Sequence, residues 1–253
     1  MNGDQNSILE VRGLGINFGG VQALRNVSFR LDPGRIIGVM GPNGAGKTTL
    51  FNLITGVYKA SSGSIWLGDK QLQDLPPYRI CHVGIARSFQ SGRPFANMTA
   101  LENVLVGLHF GRGSGALGTA EARVRASEIL ALVGLTKQAD RPVSSLNLME
   151  RKIVELARAL GTCPKILLLD EILAGLSPMD LAPAIAIIER IRDELGITVV
   201  WIEHIMKVLM ETCEHLLVLH HGEKIAEGTP SEVSANEIVA QAYFGKKGGG
   251  QHG

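Results

Sequence analysis

The chain has 253 residues, 45% hydrophobic and 19% charged, with a formal net charge of +1. That length and balance fit one large α/β domain, or a core carrying a smaller insert, and argue against disorder. Near-neutrality gives no support for a nucleic-acid binder, and no apolar run reaches the roughly 18 to 20 residues that cross a bilayer.

The polar start, Met1 to Ser7, lacks an apolar signal core, so a cytoplasmic chain is expected. Cys81, Cys163 and Cys213 are far apart with no CxxC spacing, which fits reduced, small, buried side chains.

In chain order, residues 8 to 40 predict strands. Val27-Ser28-Phe29-Arg30-Leu31 alternates apolar and polar, as a half-buried antiparallel strand does. Asp32-Pro33-Gly34 is turn chemistry, and Ile36-Ile37-Gly38-Val39-Met40 is an apolar run expected of a strand covered on both faces. A helix is predicted from about Gly46 to Thr55, then a strand at Ser64-Ile65-Trp66-Leu67 and a turn at Gly68-Asp69. From Thr99 to Leu160 the pattern turns helical. Leu101, Val104, Leu105 and Leu108 share one face, as do Ile129, Leu132 and Val133, with a glycine-rich loop expected from Gly107 to Gly118. Ile166 to Leu169 predicts a strand, Met179 to Leu195 a helix, and Ile197 to Ile202 another strand. Leu216 to His220 and Lys224 to Ala226 flank a hairpin turn at His221-Gly222-Glu223, and Gly245 to Gly253 reads as a loose tail.

Gly41-Pro42-Asn43-Gly44-Ala45-Gly46-Lys47-Thr48-Thr49 fits GxxxxGK[ST] between a predicted strand and a predicted helix. Glycines let backbone N–H groups turn around phosphate oxygens, and the helix N-terminus adds a favourable field. Lys47 is expected to reach the β- and γ-phosphates of ATP or GTP, and Thr48 to offer its hydroxyl to Mg²⁺. Ile166 to Leu169 ends in Asp170-Glu171, at the sheet edge where ligands bind in parallel α/β folds. Asp170 suits Mg²⁺, and Glu171 suits a base toward water; a strand-ending Asp that caps a helix is the competing reading.

With these motifs in order, residues 8 to 245 resemble the ATP-binding cassette (ABC) family of transporter ATPases. The resemblance implies an α/β fold: a P-loop NTPase core, with a mixed sheet and helices on both faces, plus an antiparallel β subdomain and an inserted helical subdomain. It places the core at 1–90 and 161–245, the helical subdomain at 91–160 and a flexible tail at 246–253. Phe18 matches the aromatic on which the family stacks adenine, with a core Phe as the alternative. Gln90, after Ile85-Ala86-Arg87-Ser88-Phe89, matches the glutamine that touches Mg²⁺ and the attacking water. His204 matches the switch histidine at the γ-phosphate, so Glu171, His204, Gln90 and Lys47 form the implied catalytic set, and Thr48, Gln90 and Asp170 the metal set. Gly175-Leu176-Ser177-Pro178 fills the place of the loop that crosses to the other subunit.

Phe18-Gly19-Gly20, the run Gly41 to Asn52, Ala174 to Pro178, Ile202 to Val208 and Glu227 to Val233 fit best the ATPases of branched-chain amino-acid importers. Implied partners are transmembrane permease subunits, received at Ser91 to Asn103 with Phe95 and Met98 as apolar contacts, or, in the competing reading, as helix-packing residues. A second ATPase subunit and, indirectly, a periplasmic or extracellular solute-binding protein complete the set, on the inner face of the plasma membrane.

Two places depart from the family pattern. The LSGGQ signature falls on Leu146-Asn147-Leu148-Met149-Glu150, where Asn147 replaces serine and Met149 the second glycine. Met149 is expected to bring awkward bulk to the γ-phosphate of the opposite subunit, which implies an asymmetric dimer with unequal ATP sites. Ile172 replaces the proline after the two acids, with only a local loop change expected. A soluble kinase or GTPase is disfavoured by the Asp170-Glu171 strand, by His204 and by the lack of an NKxD-like motif; an ATP-binding regulatory subunit with weak turnover remains open.

Overall fold

The buried strands carry apolar side chains on both faces, and their period of two sorts those side chains into two separate cores. In the computed structural model, which describes residues 8–88, 94–112 and 118–244, the chain forms β1 (Leu9–Phe18), β2 (Val21–Leu31), β3 (Ile36–Met40), α1 (Lys47–Ile54), β4 (Ser62–Leu67), β5 (Lys70–Gln71), α2 (Pro77–Val83) and β6 (Ile85–Arg87). There follow α3 (Ala100–Phe110), α4 (Thr119–Leu132), α5 (Leu148–Gly161), β7 (Ile166–Asp170), α6 (Pro178–Leu195), β8 (Thr198–Ile202), α7 (Met206–Thr212), β9 (His215–His220), β10 (Glu223–Gly228), α8 (Pro230–Ser234) and α9 (Glu237–Phe244).

Six strands make one sheet in the order β10-β9-β3-β8-β7-β6, parallel except for the β10 edge, and four make an antiparallel sheet in the order β2-β1-β4-β5. Ile37, Val39, Leu168, Val200, Ile202, Leu217 and Leu219 pack with α1 and the antiparallel sheet. Their neighbours Ile36, Met40, Leu167, Leu169, Val199, Trp201, Leu216 and Val218 pack with the helices on the other face. The expected mixed sheet is present, and the antiparallel sheet shares one of its faces with α1. Ile172 stays with the helical-side core, 7% exposed.

The expected loop from Gly107 to Gly118 begins too early, because Gly107 to Phe110 complete α3. Gly107 serves packing there rather than a turn. A Cβ on it would stand 2.1 Å from the Arg158 carbonyl oxygen, and one on Gly161 would stand 2.7 Å from the Val104 carbonyl oxygen. These two glycines let α3 and α5 touch backbone to backbone. Helix α3 starts at a capping box, with the Glu102 amide donating to Thr99 Oγ1 at 3.1 Å and the Thr99 amide to Glu102 Oε2 at 2.7 Å.

Parallel strands all end at the same edge, so this sheet collects the loops after β3, β7, β8 and β9 in one place. Those loops carry Gly41 to Gly46, Glu171, Glu203-His204 and His221-Gly222. Among the described residues, no helix is long and apolar enough to cross a membrane.

Candidate nucleotide site

The loop after β3 turns on glycines at positive φ: 148° at Gly41, 78° at Gly44 and 102° at Gly46. A Cβ on Gly41 would stand 2.1 Å from the Leu219 carbonyl oxygen, so the loop hugs β9 only because no side chain intervenes. The first backbone bond of α1 runs from the Leu50 amide to the Gly46 carbonyl at 2.8 Å. The amides of Lys47, Thr48 and Thr49 precede it and are the unpaired donors of a helix N-terminus.

Lys47 is 6% exposed and folds back over the loop, its Nζ donating to the carbonyls of Gly41 at 2.7 Å and Pro42 at 3.1 Å. Burial holds its pKa below the ordinary lysine value, against the opposing pull of Glu171 and Asp170. A desolvated ammonium surrounded by carbonyls is a strong site for phosphate oxygens.

A cavity of about 780 Å³ opens over the loop. Asn43 to Thr49 form its floor, Glu171 and His204 one side, and Val21 to Ala23 with His221-Gly222 the other. Glu171 is held in a left-handed backbone, φ 52°, rare for a residue with a Cβ, and its amide donates to the Ile202 carbonyl at 2.9 Å. Its Oε1 lies 2.6 Å from His204 Nε2.

Asp170 sits deeper, 1% exposed. Its Oδ2 accepts from Arg87 at 2.5 Å, Arg87 also donates to Asn52 Oδ1 at 2.5 Å, and the Asp170 amide donates to Ser88 Oγ at 3.3 Å. Asp170 Oδ1 is buried with no hydrogen-bond partner among the described residues. Arg87 and Asn52 were not legible as members of this cluster; only the tertiary fold brings α1, β6 and β7 together.

Phe18 does not line the cavity. It is 43% exposed and packs edge-on against Tyr58 at 5.1 Å between ring centroids, while Val21 takes the cavity wall. Gln90 lies outside the described residues. The β9–β10 turn was expected, but not its place in the wall: the Arg25 amide donates to the Gly222 carbonyl at 2.8 Å and the Gly222 amide to the Ala45 carbonyl at 3.1 Å. Tyr243 of α9 takes a hydrogen bond from the Gly41 backbone, and burial raises its phenol pKa. No local pattern marks Tyr243 for that role.

The segment 146–150 lies at the start of α5, and Met149 differs from expectation. Its side chain is half-buried and packs on the helical-side core, because position 149 of the helix faces inward. Leu148 is the bulky residue left outside, 53% exposed, while Leu146 is buried. Asn147 and Glu150 form a capping box. The Glu150 amide donates to Asn147 Oδ1 at 2.8 Å, and the Asn147 amide to Glu150 Oε2 at 3.0 Å. Glu150 Oε1 also accepts from Gln138 at 2.9 Å.

A glycine loop between a buried parallel strand and a helix, with a buried lysine and strand-ending acids beside it, defines a P-loop nucleotide-binding ATPase. The family profile "ABC transporter" matches residues 24–174, and "Branched-chain amino acid ATP-binding cassette transporter" matches residues 223–248. The chain belongs to the ABC transporter family, as an ATP-binding and ATP-hydrolysing subunit.

Relatives match over nearly full length. The high-affinity branched-chain amino acid transport ATP-binding protein LivG of Escherichia coli is 40% identical over 250 residues, 94% of this chain and 98% of LivG. Its counterpart BraF of Pseudomonas aeruginosa is 38% identical over 250 residues, with the same coverage of 94% and 98%. Among solved structures, the ADP conformation of MJ1267, an ATP-binding cassette of an ABC transporter, superimposes with a TM-score of 0.86 at 32% identity, covering 95% of this chain and 99% of that one. The dimeric post-hydrolysis state of the cassette MJ0796, bound to ADP and Pi, gives 0.77 at 27% identity, covering 88% and 98%.

Proposed function

We propose that this chain hydrolyses MgATP to drive uptake of branched-chain or related amino acids through transmembrane permease subunits. The observation that carries the reading is the Glu171–His204 contact of 2.6 Å on the wall of the P-loop cavity. It supports a base for water, Glu171, held by a residue that reports on the γ-phosphate, His204. The likeness to LivG and BraF supports the amino-acid cargo; no residue described above contacts an amino acid.

In this reading the amides of Gly44 to Thr49 and the Lys47 ammonium cradle the β- and γ-phosphates and stabilise charge on the transferring phosphoryl. The donors are of the type a hard cation takes: the Thr48 hydroxyl on the cavity floor and Asp170 Oδ1, which has no partner among the described residues, are both oxygens. Mg²⁺ held there, at Asp170 through water, would neutralise charge on the β- and γ-phosphates. Arg87 fixes the other Asp170 oxygen. Gln90 belongs to the same reading through the family resemblance. Val21 and the His221-Gly222 turn flank the adenosine end, with the Phe18–Tyr58 pair beside them.

The division into a core, 1–90 and 161–245, and a helical subdomain, 91–160, serves the same function. Between them runs a groove of about 270 Å³ lined by Thr55, Val57, Phe110 and Arg158 among others. Phe95 stands at this junction, 49% exposed, with its backbone clamped by buried Asn103 at 2.8 and 3.1 Å and its ring under Arg158. We take this side to receive the permease subunits, which places the chain on the inner face of the membrane, with a solute-binding protein engaged only through the permeases.

The carboxylate of Glu150 at the start of α5 favours a second element, a dimer with unequal ATP sites. In the family this helix start contacts the γ-phosphate held by the opposite subunit. Here Glu150 holds a carboxylate at that position, and a phosphate would meet like charge.

The test is uptake of labelled leucine, isoleucine and valine by cells lacking the chain. Restored chain should recover uptake, and Glu171→Gln should not. Recovery by Glu171→Gln sinks the mechanism; recovery of growth or uptake for an unrelated solute alone sinks the cargo assignment.

A further inference from the structure

Strand β8 ends in a carboxyl group that has no place in the nucleotide cavity. Glu203 follows the buried run Val199, Val200, Trp201 and Ile202 and is itself 5% exposed. Burying a carboxyl is costly unless its oxygens are satisfied. Glu203 Oε1 accepts from the Leu173 amide at 2.8 Å, and Glu203 Oε2 from the His204 amide at 3.2 Å. Burial raises its pKa, against the hydrogen bonds from the Leu173 and His204 amides, with nearby Glu171 adding to the rise.

These bonds close a ring between the two strand ends. The Glu171 amide holds the Ile202 carbonyl, the Leu173 amide holds Glu203, Glu203 holds the His204 amide, and His204 Nε2 meets Glu171 Oε1. Three of the four links are backbone-anchored and buried or half-buried; only the last joins the two side chains at the cavity. Glu171 also sits in a strained left-handed backbone, which persists only where surrounding structure over-determines it. Leu173 is two residues along, so a clamp on its amide fixes the turn that aims Glu171.

We propose that Glu203 is a positioning residue for ATP hydrolysis, its buried carboxyl bridging the Leu173 and His204 amides so that Glu171 and His204 stay in contact. The proposal rests on the reading of Glu171 as base and His204 as its partner. Glu203 does not line the nucleotide cavity. It acts by keeping the turn after β7 in step with the loop after β8, and a misplacement of about 1 Å at a reacting group is worth on the order of a hundredfold in rate.

The experiment compares Glu203→Ala, Glu203→Gln, His204→Ala, Glu171→Gln and the double variant Glu203→Ala/His204→Ala in the full chain assembled with its permease subunits. Single- and multiple-turnover rates, the KM for MgATP and the thermal midpoint are read. Glu203→Ala should lose about ten- to a hundredfold in kcat with KM little changed. Glu203→Gln keeps one acceptor oxygen and should fall between. In the His204→Ala background, loss of Glu203 should cost no more than about a further twofold, since the two act through one contact. Independent, fully multiplying losses, a rise in KM matching the fall in kcat, or unchanged turnover would each overturn the proposal. If Glu203→Ala does not fold, the same cycle is run with Glu203→Gln. Undiminished turnover in Glu171→Gln or His204→Ala removes the reacting pair itself; loss in those two without loss in the Glu203 variants leaves the pair standing and removes Glu203.

Discussion

At the carboxyl edge of the six-stranded sheet, Lys47, Glu171 and His204 face a cavity; carbonyls of its own loop hold Lys47, and Glu171 and His204 meet across two strand ends. At the start of α5, Asn147 and Glu150 face each other. The first edge is prepared for a ligand: its glycines sit at positive φ, its lysine is desolvated and one Asp170 oxygen has no partner among the described residues. The second edge has a reciprocal cap: the Asn147 side chain accepts from the Glu150 amide, and the Glu150 carboxylate accepts from the Asn147 amide. An anion site at a helix N-terminus depends on donors that nothing else has taken. The difference teaches that one chain can keep a complete phosphate loop while placing a carboxylate at a second helix start.

The largest effect should come from the prepared edge. Glu171→Gln should lower ATP turnover by about a hundred- to ten-thousandfold while leaving MgATP binding in place, measured by turnover and by equilibrium binding of labelled nucleotide. Turnover near that of the parent chain would show that this edge is not where water is activated.

Next is the support beneath it. Arg87→Met removes one partner of an ion pair whose side chains are 5% and 0% exposed and leaves the Asp170 charge uncompensated. A loss of about 3–5 kcal/mol in unfolding free energy is expected from chemical denaturation. A loss under about 1 kcal/mol would mean that Asp170 is not held by Arg87 in solution.

The α5 edge should respond in the opposite direction. Asn147→Ser with Met149→Gly and Glu150→Gln would keep a capping box but remove the carboxylate from the helix start, and should raise the ATPase rate of the assembled transporter by several-fold, on the order of 1 kcal/mol of transition-state stabilisation. An unchanged rate ends the idea of unequal sites and makes the two edges functionally independent.

The smallest effect lies away from both edges and sets a baseline for surface charge. Arg12 and Arg30 beside Glu10 hold its pKa down to about 2, from an ordinary value of 4.5. A lowered carboxylate pKa stabilises the fold above about pH 4.5 and loses that contribution as pH falls toward 2. With both arginines half exposed, Glu10→Gln should cost under about 1 kcal/mol at pH 7, with the gap to the parent closing in acid. A larger cost, read from melting curves at pH 7 and pH 3, would mean that this sheet depends on its ion pairs.

Much of this was legible because the signals are local. Ile36 to Met40, then Gly41 to Thr49, carries strand, turn and helix start in one stretch, and Ile166 to Glu171 shows acids ending an apolar strand. Glu203 carries the same signal, a carboxylate ending the apolar run Val199 to Ile202, yet its function depends on Leu173, 30 residues away. Met149 was misjudged because its position in a motif says nothing about the direction of its side chain; the phase of α5 sets that.

The sequence by itself determined the phosphate loop, the strand-ending acids, the alternation that builds two cores around one sheet, and the family. Those rest on neighbours in the chain and on a period of two or 3.6. Only the tertiary structure decided that Arg87 holds Asp170, that His221-Gly222 walls the cavity, that Gly107 and Gly161 seat α3 on α5, and that Glu203 joins the two strand ends. Each of these is a contact between residues distant in sequence, set by strand order and helix phase, and no local pattern encodes either.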